Sequence, residues 1–72
     1  MQLVEIFKTN INCPDEAKKI VEQIHATYTT YKANFDLDDC DKILRIVTNE
    51  NIAVTNFIAW LKEQGCNAII FN

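Results

Sequence analysis

Alternation of hydrophobic and polar residues with a period of two, or short aliphatic runs, marks four segments of the chain. Residues 3–8 are rich in strand formers and are apolar at both odd and even positions, as expected of an interior strand. Residues 33–37 alternate strictly between apolar and polar side chains. Residues 43–47 and 66–71 are mostly aliphatic. The pattern therefore predicts four strands.

A period near 3.6 appears first after the opening strand. Its apolar stripe recurs at spacings of three and four residues and consists of Ala17, Ile20, Val21 and Ile24. Pro14 suits the first helical position, because its missing N–H is no loss there. Asp15 and Glu16 follow in the first turn, where the helix dipole favours carboxylates. The helix is expected to end near Tyr28, where β-branched and aromatic residues take over, which predicts a helix over residues 14–27.

A second helical stripe lies between the third and fourth predicted strands and consists of Val54, Phe57, Ile58 and Leu61. The polar residues 48–51 precede it and supply N-cap candidates. Gly65, the only glycine in the chain, stands where the end of a helix needs a residue with positive φ. The helix is therefore expected to end just before Gly65.

The order strand, helix, strand, strand, helix, strand predicts a single α+β domain over residues 1–72, with the ferredoxin-like βαββαβ sandwich. Right-handed crossovers place both helices on one face of a four-stranded antiparallel sheet. The other face is uncovered, yet the first, third and fourth strands are apolar on both sides. A contiguous uncovered apolar patch usually marks an interaction site, so this face is a candidate docking surface.

Charge and composition narrow the function classes. The net charge is −3 and no lysine-rich face is visible, which argues against binding a nucleic-acid backbone. No run approaches the ~18 apolar residues of a membrane span, and a signal-peptide pattern does not precede the first strand, so a cytoplasmic location is expected. The chain has no serine and no evident Cys–His pairing, and we predict no catalytic residues.

The chain has three cysteines, Cys13, Cys40 and Cys66. An odd number does not suggest a disulfide framework of a small secreted domain. In the predicted fold the loop before the first helix, the hairpin between the second and third strands and the segment after the second helix all lie at one end of the sandwich. The topology thus brings all three cysteines to the same end, whether or not their sulfurs converge.

Ile11-Asn12-Cys13 before the first helix and Gly65-Cys66 after the second belong to a pattern that, over nearly the whole chain, resembles the heavy-metal-associated domain of copper chaperones and metal-transporting ATPases. That family carries Met-x-Cys-x-x-Cys between its first strand and first helix, and Ile11-Asn12-Cys13 is similar to the first half of this motif. Glu16 occupies the position of the second cysteine. Gly65-Cys66 matches the place where the family commonly has glycine followed by an aromatic residue. Residues 7–11 and the hairpin 36–45 are similar to short stand-alone bacterial members with a degenerate motif.

Two hypotheses of different classes follow from these features. The resemblance implies soft-metal binding or transfer, with Cys13 and Cys66 binding Cu(I), or Zn(II) with help from Cys40 or Glu16. The alternative is a metal-independent dimerisation or protein-docking module that acts through the open sheet face and needs no cofactor.

The remaining candidate residues are assigned structural roles. His25, the only histidine, is expected at the surface, at the opposite end from Cys13. The aromatic residues Tyr28, Tyr31 and Trp60 are expected to pack at the edge of the core. The acidic residues from Asp36 to Asp41 lack the glycine and glutamate of an EF-hand loop and are expected to form a solvated turn.

Overall fold

A computed structural model, which describes residues 2–37 and 42–71, has six elements in the predicted order. They are β1 (Leu3–Thr9), α1 (Pro14–Thr27), β2 (Lys32–Asp36), β3 (Ile43–Thr48), α2 (Val54–Glu63) and β4 (Ala68–Ile70). The strands form one antiparallel sheet in the order β2-β3-β1-β4. This is the ferredoxin-like βαββαβ fold, as predicted. Within the described residues, neither helix has the length and apolar character required to cross a membrane.

The strand register decides which side chains meet the helices. Phe7 of β1 lies opposite Leu44 of β3 and Ile70 of β4, so these three side chains share one face of the sheet. The ring of Phe7 lies 5.6 Å from that of Phe57 on α2, which identifies this face as the helix-covered one. Phe7, Leu44 and Phe57 are all at most 1% exposed. The core is therefore the layer between the helices and this face.

The starts of the two helices differ in how well the sequence predicted them. Pro14 is the first residue of α1, with Asp15 and Glu16 in the first turn, as expected. The prediction of a polar N-cap for α2 was wrong, because Ala53 occupies that position and makes no side-chain cap. The hydroxyl of Thr48 instead accepts the N–H of Glu50 at 3.2 Å. This local turn satisfies a main-chain donor before α2 begins and does not cap the helix.

Gly65 closes α2 in a Schellman motif. The N–H of Gly65 donates to the carbonyl of Lys62 at 3.0 Å, and that of Cys66 to the carbonyl of Leu61 at 2.9 Å. Gly65 has φ +85°, as its position predicted. The prediction that Cys66 begins the last strand was wrong, since its N–H belongs to the helix cap. The strand itself starts only at Ala68.

We expect Gly65→Ala to lower the free energy of unfolding by about 1–2 kcal/mol, because a side chain makes the left-handed conformation unfavourable. Nothing lies within 4 Å of an added Cβ, so the cost is conformational and not steric crowding against neighbours. Urea unfolding measures the change. Asn tolerates positive φ, so Gly65→Asn is expected to cost less than Gly65→Ala, and an equal or larger cost would contradict this account.

The aromatic residues after α1 are more central than the sequence suggested. Tyr31 is only 8% exposed and belongs to the core, so the expectation of edge packing was wrong for this residue. Its ring stacks on Tyr28 at 4.8 Å and meets the edge of Phe57 at 5.5 Å. Tyr28 and Trp60 are partly buried and pack against the core, in line with the expectation.

Candidate functional site

Cys66 is the most deeply buried of the described cysteines. It is 0% exposed and belongs to the hydrophobic core, one residue beyond the positive-φ Gly65. Burial raises the pKa of the Cys66 thiol to about 11, because the apolar surroundings disfavour the thiolate. The Schellman motif explains the position. The residue after the glycine commonly makes a hydrophobic contact with the last turn of the helix, and Leu61 in that turn is also 0% exposed.

Cys13 is exposed and stands at the N-cap of α1. Its side chain makes no capping hydrogen bond, while its carbonyl accepts the N–H of Ala17 at 3.0 Å. Both Cys13 and Cys66 are free thiols. The third predicted ligand, Cys40, lies outside the described residues.

Cys13 and Cys66 lie in neighbouring loops at one end of the sandwich, as the topology predicted. The side-chain oxygen of Asn10 accepts the N–H of Asn67 at 3.0 Å, which joins the loop before α1 to the segment before β4. A cleft at this end is lined in part by Ile11, Glu16 and Gly65. Ile11, which stands at the methionine position of the motif, is 2% exposed and therefore buried.

No three His, Cys, Asp or Glu side chains within residues 2–37 and 42–71 are grouped so that they could hold one metal ion. Since Cys40 lies outside these ranges, a site that includes it is not tested. Metal binding by Cys13, Cys66 and Cys40 stays a prediction, and any site that uses Cys66 would have to ionise a thiol of raised pKa inside the core.

The uncovered side of the sheet is defined by the register. Ile6 lies opposite Arg45, Lys8 opposite Ile69, and Asn34 opposite Arg45, so these side chains point away from the helices. We call this surface the open face. It consists of Val4, Ile6 and Lys8 on β1, Lys32, Asn34 and Asp36 on β2, Ile43, Arg45 and Val47 on β3, and Ile69 and Phe71 at β4.

The apolar residues of the open face are unevenly distributed. Val4 is 52% exposed, Ile69 62% and Phe71 39%, and these are the large exposed hydrophobic residues of the described chain. All three lie on β1 or at β4, whereas β2 contributes only polar and charged side chains. The prediction of an uncovered apolar patch is therefore confirmed for the half of the face formed by β1 and β4.

The charged residues that the structure describes on the open face are mostly cations, although the chain as a whole is acidic. Among the described residues of the face, Lys8, Lys32 and Arg45 carry positive charge and Asp36 carries negative charge. The chain as a whole carries −3. The Nζ atom of Lys8 lies 5.0 Å from the centroid of the Phe71 ring, a cation–π contact that joins the charged and apolar parts.

His25 has a role that the sequence did not reveal. It is exposed, as expected, but its Nε2 atom accepts the N–H of Ala33 at 3.1 Å. Ala33 belongs to β2, an edge strand, so the imidazole satisfies a main-chain donor of that strand. The sequence offered only a weak signal of this contact: a polar residue in the last turn of a helix that is followed by an edge strand.

Comparison of the chain with models of known protein families, with curated proteins and with solved structures gives no match.

Proposed function

We propose that this chain is a protein-docking module whose open face binds an acidic partner surface that presents apolar side chains. The observation that carries the proposal is the exposure of Val4, Ile69 and Phe71 together on a face whose described charged residues are mostly cations. Exposed apolar side chains supply affinity when they are covered, and complementary charge supplies specificity and faster association.

The sign of the charge selects the partner. Lys8, Lys32 and Arg45 surround and interrupt the apolar residues, so a partner with Asp or Glu near its apolar residues pairs with them. A basic partner would bring like charges together at the same place.

A second copy of the chain fits this face less well. Two open faces stacked against each other would each bring Lys8, Lys32 and Arg45 into a shared interface, and like charges placed opposite each other are unfavourable. We therefore expect the reduced protein to remain monomeric under conditions in which it binds an acidic partner.

The test begins with a phage-displayed library of random dodecapeptides selected on the immobilised, reduced chain. We expect the selected peptides to combine Asp or Glu with aliphatic or aromatic residues. Val4→Glu should weaken their binding about tenfold or more, because it removes apolar contact and adds a negative charge to the face. Gln23→Glu makes the same change of charge at an exposed position of α1 and serves as the matched control. We expect it to leave the affinity for the peptides unchanged.

Three results would contradict the proposal. One is a selection that yields no binders, or only basic ones. Another is equal weakening by Val4→Glu and Gln23→Glu, which would indicate a general charge effect. The third is a concentration-dependent dimer in sedimentation that Val4→Glu abolishes, which would make a second copy the occupant of the face.

Soft-metal binding is the second candidate function. It is supported by the free, exposed thiol of Cys13 at the N-cap of α1 and by the joined loops that carry Cys13 and Cys66. Thiolate ligands must lose their protons, so binding through Cys66 would release protons and weaken on acidification. Anaerobic competition for Cu(I) against a chromophoric chelator, with Cys13→Ser and Cys66→Ser as comparisons, decides between the candidates. A wild-type chain that competes no better than either variant leaves only docking.

A further inference from the structure

β4 is an edge strand whose outer main-chain groups can be identified from the hydrogen bonds on its inner side. Phe71 donates its N–H to the carbonyl of Ile6 at 2.9 Å, so the main-chain N–H and C=O groups of Phe71 are directed towards β1. Successive residues of a strand direct these groups to opposite sides. The N–H and C=O groups of Ile70 and Ala68 therefore point away from the sheet, and within residues 2–37 and 42–71 no strand lies beyond β4. Such an edge is a template for an added strand.

A groove of about 420 Å³ runs beside this edge, between β4 and α2. Ile58 and Lys62 form its helical side, and Ala68 and Ile69 form its strand side, with Lys8 also contributing. Ile58 is half-buried and Ile69 is exposed, so each side of the groove offers one aliphatic side chain.

The groove is cationic. Lys62 approaches it from α2, and Lys8 approaches it from the open face. None of its described lining residues is Asp or Glu. An acidic side chain on the helix side of an added strand would therefore meet Lys62, which gives the edge the same charge preference as the open face.

The opposite edge of the sheet is less available. There the N–H of Ala33 on β2 is taken by the Nε2 atom of His25 at 3.1 Å. A peptide that paired with β2 would have to displace this imidazole, whereas pairing with β4 displaces no hydrogen bond that we identify at Ala68 or Ile70.

We propose that the docking partner is bound as an extended acidic peptide that adds to β4 as a fifth strand. The proposal rests on the function proposed above and specifies its partner and geometry. The added main chain pairs with Ala68 and Ile70. Alternate side chains of the peptide then lie beside Ile58 and Lys62 on the helix side and beside Ile69 and Phe71 on the open face. A three-residue strand offers few main-chain bonds, so the lysines and aliphatic residues supply the selectivity.

The test uses the peptides selected on the chain. Each is synthesised in two versions, one with N-methyl groups on the odd-numbered main-chain nitrogens and one with them on the even-numbered nitrogens. Strand addition predicts that one register lowers affinity about tenfold or more, because it removes the paired N–H groups, while the other leaves affinity nearly unchanged. Amide exchange of Ala68 and Ile70 should slow on binding by a similar factor, with Ile69 and Phe71 as inward-bonded references. Lys62→Glu should weaken binding, and Lys18→Glu on α1 should not.

The failures of the two proposals are distinguishable. If Val4→Glu abolishes binding but both N-methyl registers bind equally and the Ala68 and Ile70 amides stay unprotected, docking through the open face stands and strand addition is overturned. If N-methylation and Lys62→Glu act as expected while Val4→Glu has no effect, the edge alone is the site. If no acidic peptide binds, both proposals fail together.

Discussion

Replacement of Phe57 by alanine is expected to lower the free energy of unfolding by about 3–5 kcal/mol. Phe57 is 1% exposed and lies at the centre of the aromatic cluster. Its ring centroid is 5.6 Å from that of Phe7, 5.3 Å from Tyr28, 5.5 Å from Tyr31 and 6.0 Å from Trp60. A domain of 72 residues has a total stability of about 4–11 kcal/mol, so the variant should be close to unfolded at 25 °C.

Chemical denaturation followed by far-UV circular dichroism measures this loss. Ile69→Ala is the control, because Ile69 is also a large hydrophobic residue but is 62% exposed on the open face. It should change stability by less than about 0.5 kcal/mol, as surface substitutions usually do. Similar losses in the two variants would mean that the open face is part of a buried core, and the docking proposal would lose its basis.

The thiols of Cys13 and Cys66 are expected to differ by orders of magnitude in their rate of alkylation in the folded protein. Cys13 is exposed and Cys66 is 0% exposed. With a pKa raised to about 11 by burial, roughly one Cys66 thiol in a thousand is ionised at pH 8, and the thiolate is the reactive form. Modification of Cys66 should therefore require opening of the core.

The measurement is mass spectrometry of the protein during treatment with iodoacetamide, in a Cys40→Ser background that leaves only the two described thiols. We expect one rapid modification at Cys13 and a second only when urea unfolds the chain. Rapid native-state labelling of Cys66 would show that its segment opens readily, and a two-thiolate metal site would then cost little to form. Slow labelling means that such a site must disrupt the cap of α2.

The topology could be predicted because each element carries a local signal that agrees with the tertiary fold. Pro14 begins α1, where a missing N–H is no loss, and Gly65 follows the end of α2, where the backbone needs positive φ. The period-two pattern also predicted that β1 and β4 are apolar on both sides, but only the register of the sheet placed Val4 and Ile69 on the uncovered one.

The candidate metal site was harder to assess from the sequence, because the accessibility of a side chain depends on how the chain enters and leaves each element. Cys66 follows Gly65 directly, and a residue in that position can begin a strand or complete a helix cap. The hydrogen bond from its N–H to Leu61 places it in the cap and buries the thiol. Likewise, the contact of His25 with Ala33 joins residues whose pairing no sequence period indicates.

The most direct test of the central claim is to map which amides of the ¹⁵N-labelled chain shift when a selected acidic peptide is added. We predict that the largest shifts occur on the open face at Val4, Ile69 and Phe71 and at the paired edge residues Ala68 and Ile70, with α1 little changed. Shifts concentrated around Cys13 and Glu16, or along the outer surface of α1, would contradict the assignment of the open face as the docking surface.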